Sequence, residues 1–459
     1  MQMARVSAVI LAGLMMAFGA RSAAADEAAL YELKVAIEPA AGTVSVRGSI
    51  AIPMQADAPQ ITFGLHRTFV IKKLAVNGKN AAFTYQPIDP TPMNPAARNV
   101  VVRLPTGAVR DGTVRMEIAY GGRLEELPEW GSAPDLKWAM DDQVNGRLVE
   151  LANYSSWYPQ FFPFGHALQI DLEVSLPKGW TAVSSGTKSD TRSSNDRAVT
   201  RWVSPRNTDI VISASPNFRR VAGRASGDAI EIYHTQMPDS VVAREVTDLT
   251  AVMTMFSDRL GETTVPGGTV RHVYSPMKHG QGRAGIARLG LIVTSEGRVL
   301  EAMAKKPDYT LFQDIVHEIG HFWWNFGAGQ GDWINEAFAE YFSALAVRDI
   351  VSQQQFEAVL EKYRKQVARL PPDTPSLATV SSGGSAFLVR YYKGALMLDE
   401  LRLSMGDDAF FQAARDFFQT YRSQPTGTAE FRAFWGARLG DKKTRLDAWL
   451  DTGGGLPAQ

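Results

Sequence analysis

The first half of the chain alternates apolar and polar positions with a period of two. Between Tyr31 and Ser215, segments such as YELKVAIEP and VRMEIAYGG show this alternation or short runs of β-branched residues. Such patterns are typical of strands that bury one face. Gly, Pro and Asn separate the segments, as in the pair Asn77-Gly78. Many short strands at regular spacing predict an antiparallel β-sandwich or saddle over residues 26–215.

The hydrophobic pattern changes beyond Ser215. Alternation stops over residues 216–227, and residues 239–260 then carry apolar side chains at helical spacing. Two short strand-like segments follow, VRHVYSPMKH and LGLIVTS, and most of the remaining chain has helical periodicity. We therefore predict a second, mainly helical α+β domain over residues 216–459, and a multidomain chain with β structure before α+β structure.

The first 25 residues have the composition of a secretory signal peptide. Arg5 precedes the apolar run VSAVILAGLMMAFGA, and small residues at 23–25 form a cleavage site before Asp26. An uncleaved membrane anchor is the alternative, but the run is short for a bilayer span of about 20 residues and Arg21 follows it closely. No later stretch is long and apolar enough to span. The sequence predicts an exported protein, periplasmic or secreted, with no stable membrane span after cleavage.

Composition narrows the possible functions. The 459 residues contain 48 Lys and Arg and 48 Asp and Glu. The chain therefore has no excess of positive charge that would indicate binding to nucleic acid. Cysteine is absent, which excludes disulfides and thiolate zinc sites and suits an exported protein. The oligomeric state is left open.

Candidate chemistry is concentrated in DIVHEIGHFWWNFGAGQGDWINEAFAEY, residues 314–341. His317 and His321 are four residues apart, so on a helix they stand on one face, one turn apart, and can bind one metal ion. Glu318 points in another direction and is placed to take a proton from metal-bound water. The alternative is a half-buried histidine pair with no metal.

A third ligand is expected from the helix that follows the glycine-rich loop. Glu336 and Glu340 lie four apart on one face of that helix, and either can reach a metal held by the histidines. We favour Glu336 as the ligand and Glu340 as a partner that orients a ligand histidine.

HEIGH followed by WINEAFAEY is similar to the zinc signature of the aminopeptidase N family of gluzincins. The resemblance implies a thermolysin-like catalytic domain, one zinc ion on His317, His321 and Glu336, and Glu318 as general base. The family usually has about eighteen residues between the second histidine and the ligand glutamate, whereas fourteen separate His321 from Glu336 here. A strict count selects Glu340 instead, but the order of Trp333 and the NE pair favours Glu336.

Two further residues take roles from the same resemblance. Glu150 lies nine positions before the proline of SSWYPQF, where the family has a residue that grips the substrate α-amino group. Tyr391 in YYKGA corresponds to a tyrosine that hydrogen-bonds the developing oxyanion, which is the donor such chemistry needs.

The segment RAGIARLGLIV corresponds to the family's substrate-binding GAMEN motif, and its members here are Gly285, Ala287 and Arg288. Ala287 stands where the family has the glutamate that anchors the amine. Such an anchor contributes roughly 2 kcal/mol or more, so its loss is expected to weaken exopeptidase selectivity. Arg288 is expected to repel an ammonium group and to favour a carboxylate or an internal peptide.

These observations predict zinc-dependent hydrolysis of peptide bonds, with aminopeptidase-like action on short peptides. One alternative is an endopeptidase, because the glutamate at position 287 is missing. The other is a protein that keeps zinc as structure and binds peptides or a partner without turnover.

Overall fold

The structure is a computed structural model. It describes residues 28–88, 96–124, 142–161, 167–225, 228–277, 286–306, 312–324, 331–381, 386–422 and 426–457. The predicted signal peptide and Gly285 lie outside the described residues.

The N-terminal part of the chain folds into β-sheets. Its strands are β1 (Ala29–Glu38), β2 (Thr43–Pro53), β3 (Gln60–His66), β4 (Val70–Val76), β5 (Lys79–Asn80), β6 (Phe83–Gln86), β7 (Ala97–Arg103), β8 (Thr113–Arg123), β9 (Gln143–Asn145), β10 (Leu148–Leu151), β11 (Gln160–Phe161), β12 (Leu168–Pro177), β13 (Thr181–Ser184), β14 (Thr187–Ser193), β15 (Arg197–Asn207) and β16 (Ile212–Ser215). They form an eight-stranded sheet of order β14-β15-β12-β1-β2-β8-β4-β5, and four-stranded sheets of order β13-β16-β10-β9 and β11-β3-β7-β6.

Alternation along β1 shows why these segments become strands. Tyr31, Leu33 and Val35 point into the core while the residues between them stay partly exposed, as a period of two requires. The prediction of antiparallel pairing is wrong for one pair, because β1 and β12 run parallel. These two strands lie far apart in sequence, so no hairpin turn dictates their direction.

A third region continues with a five-stranded sheet of order β17-β18-β19-β21-β20. Its strands are β17 (Arg219–Ala225), β18 (Asp228–His234), β19 (Thr269–Ser275), β20 (Ile286–Arg288) and β21 (Leu291–Ser295). The loss of alternation over residues 216–227 does not exclude a strand, because β17 lies within this stretch. This edge strand has no fully buried face in its described positions, so it lacks the apolar alternation that marks the other strands.

Helices make up the rest of the described chain. They are α1 (Asp239–Leu260), α2 (Glu296–Lys305), α3 (Phe312–Gly320), α4 (Asp332–Ala346), α5 (Gln353–Val367), α6 (Gly394–Met405), α7 (Asp407–Tyr421), α8 (Thr428–Leu439) and α9 (Lys443–Asp451). Two short π-helical segments, Val347–Val351 and Leu388–Lys393, adjoin α4 and α6. Aromatic side chains fill the core between these helices, as where Trp324 stacks on Phe338.

The order of the sheets follows the predicted fold class, with β domain before mainly helical domain. The last strand of the N-terminal sheets ends at Ser215, and the next strand, β17, belongs to the five-stranded sheet. The exact boundary at residues 215 and 216 stays a prediction. Among the described residues, we find no helix with both the length and the apolar composition that a membrane span requires.

Candidate active site

Helix α3, the turn that follows it and helix α4 bring the predicted metal ligands together. The two helices approach closely because small residues face each other: a Cβ on Gly320 would lie 2.8 Å from Cα of Ala339. On the other side of α4, a Cβ on Gly394 would lie 2.5 Å from Cβ of Ala337. Side chains larger than hydrogen at these two glycines would push the helices apart.

The two histidines and Glu336 meet at this contact. Glu336 Oε2 lies 3.3 Å from His317 Nε2 and 3.5 Å from His321 Nε2, and one atom of each residue lies within 4.8 Å of the others. Tetrahedral zinc with bonds of about 2.0–2.1 Å places its ligand atoms roughly 3.3 Å apart. Glu336 Oε2 is also buried with no hydrogen-bond partner among the described residues. The three residues therefore fit a zinc ion.

The other imidazole nitrogens are held by hydrogen bonds. His317 Nδ1 lies 2.7 Å from Glu340 Oε2, and His321 Nδ1 lies 3.2 Å from the carbonyl oxygen of Trp324. If each Nδ1 carries the proton of a neutral imidazole, each Nε2 keeps a lone pair that can bind a metal ion on the side of Glu336. The Tyr363 hydroxyl in turn donates to Glu340 Oε1 at 2.5 Å. Glu340 thus contacts the back of His317, and Glu336 faces the site.

The close contact of two imidazoles with a carboxylate shifts the pKa of each group. Burial opposes protonation of His317 and His321, but the nearby carboxylate of Glu336, and for His317 also that of Glu340, raises the pKa of both imidazoles. Burial likewise favours the neutral form of Glu336, yet the two imidazoles outweigh it and lower its pKa well below the usual range. Displacing protons from such a set is what binding a divalent cation requires.

Glu318 lies beside the cluster on α3. It is buried, and burial raises its pKa, although the two histidines oppose this effect. The backbone N–H of Ala287 faces its carboxylate and also lowers its pKa in part. A buried carboxylate with a raised pKa suits a general base that must later return its proton.

Tyr391 reaches the same site from the π-helical segment Leu388–Lys393. Its ring stacks on the His317 imidazole with centroids 5.1 Å apart and planes 6° apart. Burial, followed by the negative charge of Glu336, raises the pKa of the phenol well above its usual value. Tyr391 therefore stays protonated and can donate a hydrogen bond.

Arg390 is a residue of this site that the sequence reasoning missed. Its guanidinium donates to Glu336 Oε1 at 3.2 Å and pairs with Asp332. Asp332 and Glu336 are four apart on α4, and like charges at that spacing repel each other. That pair was a signal in the sequence that a cation is needed nearby, but it did not indicate which one.

On the opposite side of Glu318, the predicted substrate-binding residues are engaged within the protein. Arg288 Nε lies 2.8 Å from Asp209 Oδ2, and its Nη2 donates to Asn153 Oδ1 at 3.1 Å. Asp209 compensates the charge of Arg288, so the expectation that Arg288 repels an ammonium group is not supported. Ala287 is near Glu318 through its backbone, as described above, and its methyl group supplies no charge.

Glu150 is buried in β10, with 4% of its surface exposed. Its Oε2 accepts hydrogen bonds from the hydroxyls of Ser213 and Ser275, each at 2.8 Å. Ser275 ends β19, so Glu150 ties an N-terminal sheet to the five-stranded sheet. Its role in gripping a substrate amine stays a prediction.

Comparison with known proteins adds independent observations. Residues 283–449 match the model of the "Peptidase family M1 domain". Over 160 residues, 30% of this chain, the sequence is 26% identical to aminopeptidase N of Streptomyces lividans, and the match spans 18% of that protein.

Solved structures extend the likeness to nearly the whole chain. The M1 zinc metallopeptidase of Deinococcus radiodurans has a TM-score of 0.69 at 18% identity, covering 94% of this chain and 95% of that chain. A mutant M1 zinc metallopeptidase from the same organism, bound to a Tyr-Ser-Ala substrate, has a TM-score of 0.72 at 17% identity and the same coverage. The likeness establishes the fold and confirms the predicted fold class.

Proposed function

We propose that this chain is a zinc-dependent peptidase, because residues 283–449 match the peptidase family M1 domain and the chain has the fold of the M1 zinc metallopeptidases. The observation that carries the proposal is the convergence of three atoms. Two imidazole Nε2 atoms and Glu336 Oε2, which has no hydrogen-bond partner among the described residues, lie at zinc-ligand spacing, with the buried Glu318 beside them.

Each residue of the site has a separate role in the proposed hydrolysis. Zinc, when bound, supplies a Lewis acid that polarises the scissile carbonyl and lowers the pKa of water. Glu318 accepts a proton from the attacking water and returns it to the leaving amine. The Tyr391 hydroxyl donates a hydrogen bond to the carbonyl oxygen as negative charge develops there. Glu340 holds His317 in the tautomer and orientation that ligation needs.

Two substrate classes follow from different observations. The match to aminopeptidase N supports aminopeptidase-like action on short peptides, with Glu150 as the predicted amine-binding group. Ala287, which carries no carboxylate to anchor a free amine, supports an endopeptidase instead. A non-catalytic zinc protein is the remaining alternative.

Paired fluorogenic peptides decide among these functions. Each peptide is prepared with a free and with an acetylated N-terminus, and hydrolysis is measured with native protein, chelator-treated protein and protein restored with zinc. Zinc-dependent cleavage of the free-amine peptide alone indicates an aminopeptidase, and equal cleavage of both indicates an endopeptidase. A zinc-loaded protein that cleaves neither across a panel of sequences would refute the proposal.

We also propose that the protein is exported. Support comes from the signal-like pattern of residues 1–25. N-terminal sequencing of protein produced with its full leader should find Asp26 as the first residue, and an intact Met1 would contradict export by cleavage.

A further inference from the structure

Arg390 contacts the metal cluster from behind its carboxylate. It belongs to the π-helical segment that also carries Tyr391, and its side chain is 17% exposed. The guanidinium bonds Glu336 Oε1 at 3.2 Å and pairs with Asp332 in the first turn of α4. Glu336 Oε2, the oxygen that faces the histidines, is left without a hydrogen-bond partner among the described residues.

We propose that Arg390 is a positioning residue that holds Glu336 so that one oxygen, Oε2, faces the two histidines. The inference rests on the metal site of the proposed function, but it does not depend on peptide hydrolysis. Arg390 touches neither imidazole in the described contacts and acts through the carboxylate.

The physical argument begins with the freedom of a carboxylate. A free glutamate side chain rotates about its bonds and can offer either oxygen, or both, to a cation. The bond from Arg390 Nη2 to Oε1 restricts that freedom, because hydrogen bonds between charged groups are roughly twice as strong as those between neutral groups. The remaining oxygen is then directed to the imidazoles before any ion arrives.

Asp332 keeps Arg390 in place. Asp332 and Glu336 stand one turn apart on α4, so a guanidinium between them is attracted to both and offsets their mutual repulsion. Burial raises the pKa of Asp332, while Arg390 acts in the opposite direction. The result is a cation fixed by two carboxylates of one helix.

The same contact fixes the neighbour of Arg390 in the chain. Since Arg390 anchors its segment to α4, it also restrains Tyr391, whose ring stacks on His317. One arginine therefore joins the helix that supplies the carboxylate ligand to the segment that supplies the phenol.

Zinc affinity is the direct test. We would measure it by competition with a chromogenic chelator for the wild type, Arg390→Gln and Arg390→Lys. Partners that orient metal ligands typically contribute about 10–100-fold in affinity. We expect a loss of that size for Arg390→Gln and a smaller loss for Arg390→Lys, which keeps the positive charge but not the planar guanidinium.

Arg432 provides a matched control. It also bonds two carboxylates, Asp447 and Asp451, and is 29% exposed, but none of its described contacts involves the metal cluster. Arg432→Gln should cost stability without changing zinc affinity. An Arg432→Gln variant that loses as much zinc affinity as Arg390→Gln would show that the effect is a general loss of structure and would overturn the proposal.

Folded Arg390→Gln, checked by circular dichroism, with zinc affinity equal to or tighter than the wild type would also overturn it. If Arg390→Gln does not fold, Arg390→Lys and Asp332→Asn carry the test. Asp332→Asn frees one side of Arg390 and should weaken zinc binding by several-fold, and wild-type affinity in both variants would contradict the inference. Wild-type protein that binds zinc but cleaves no peptide would refute the proposed function alone.

Discussion

The two sides of the candidate site differ in how their buried polar groups are satisfied. On the metal side, the cluster of His317, His321 and Glu336, a buried carboxylate oxygen has no hydrogen-bond partner among the described residues. On the substrate side, defined by Glu150, Ala287 and Arg288, the charged groups are occupied by Ser213, Ser275, Asp209 and Asn153.

This difference suggests different roles for the two sides: the metal side is arranged for chemistry, and the substrate side holds the sheets and loops in position. A buried polar atom without a partner is costly, and a cation bound by the three converging residues would satisfy it. Buried charges that are already paired contribute to the position of the elements that carry them. We therefore expect substitutions on the metal side to reduce activity, and those on the substrate side to reduce stability.

The largest effect on activity should come from Glu318→Gln. The amide cannot accept the proton of the attacking water, and loss of a general base costs about 10²–10⁴-fold in rate. The free energy of unfolding should change little, because the amide has nearly the same size and Glu318 is not one of the three ligands. Zinc content should also stay unchanged, and measurements of kcat/KM, zinc content and urea unfolding test these three expectations.

A Glu318→Gln variant with full activity would remove the proposed base. A variant that loses zinc along with activity would instead show that Glu318 supports the ligands. Its loss of activity would then reflect a structural role, as expected for the substrate side.

The metal side was predictable because its chemistry follows local spacing. His317 and Glu318 lie on α3, and His321 follows its last residue in a turn that keeps it near His317. Choosing Glu336 over Glu340 depended on the local order of Trp333 and the NE pair, and the structure places Glu336 beside both imidazoles and Glu340 behind one of them.

Pairings across the fold were beyond the sequence. Arg390 bonds a residue 54 positions away, and Arg288 bonds one 79 positions away. No periodicity encodes which of 48 cationic residues meets a given carboxylate, since the packing of helices and sheets decides it. The same reason explains the parallel pairing of β1 with β12, which local alternation leaves undetermined.

On the substrate side, Arg288→Met should reduce stability more than activity. Asp209 is fully buried, and removing its cation leaves a charge in the interior, which typically costs about 3–5 kcal/mol. Bonds from the Tyr158 hydroxyl and the backbone N–H of Ile210 make the lower end of that range the expected value. Urea unfolding measures it, and kcat/KM of the folded variant should fall by less than about tenfold.

Asp209→Asn combined with Arg288→Met provides the control. The double variant buries no unpaired charge, so it should be less destabilised than the sum of the two single variants. Unchanged stability in Arg288→Met, together with a large loss of activity, would show that Arg288 acts in the reaction. The contrast between the metal side and the substrate side would then be wrong.

Glu150→Gln should have the smallest effect. Its amide oxygen can still accept from the Ser213 and Ser275 hydroxyls, so the loss should be about 1 kcal/mol, the difference between charged and neutral hydrogen bonds. Since Glu150 is 4% exposed, we expect kcat/KM for free-amine and N-acetylated peptides to fall equally, by less than about threefold. A selective loss of about tenfold on free-amine peptides alone would instead support the amine-binding role predicted from the sequence. It would also mean that the buried Glu150 carboxylate, with its two hydroxyl partners, still interacts with the substrate amine. The substrate side would then act in recognition as well as in holding the sheets together.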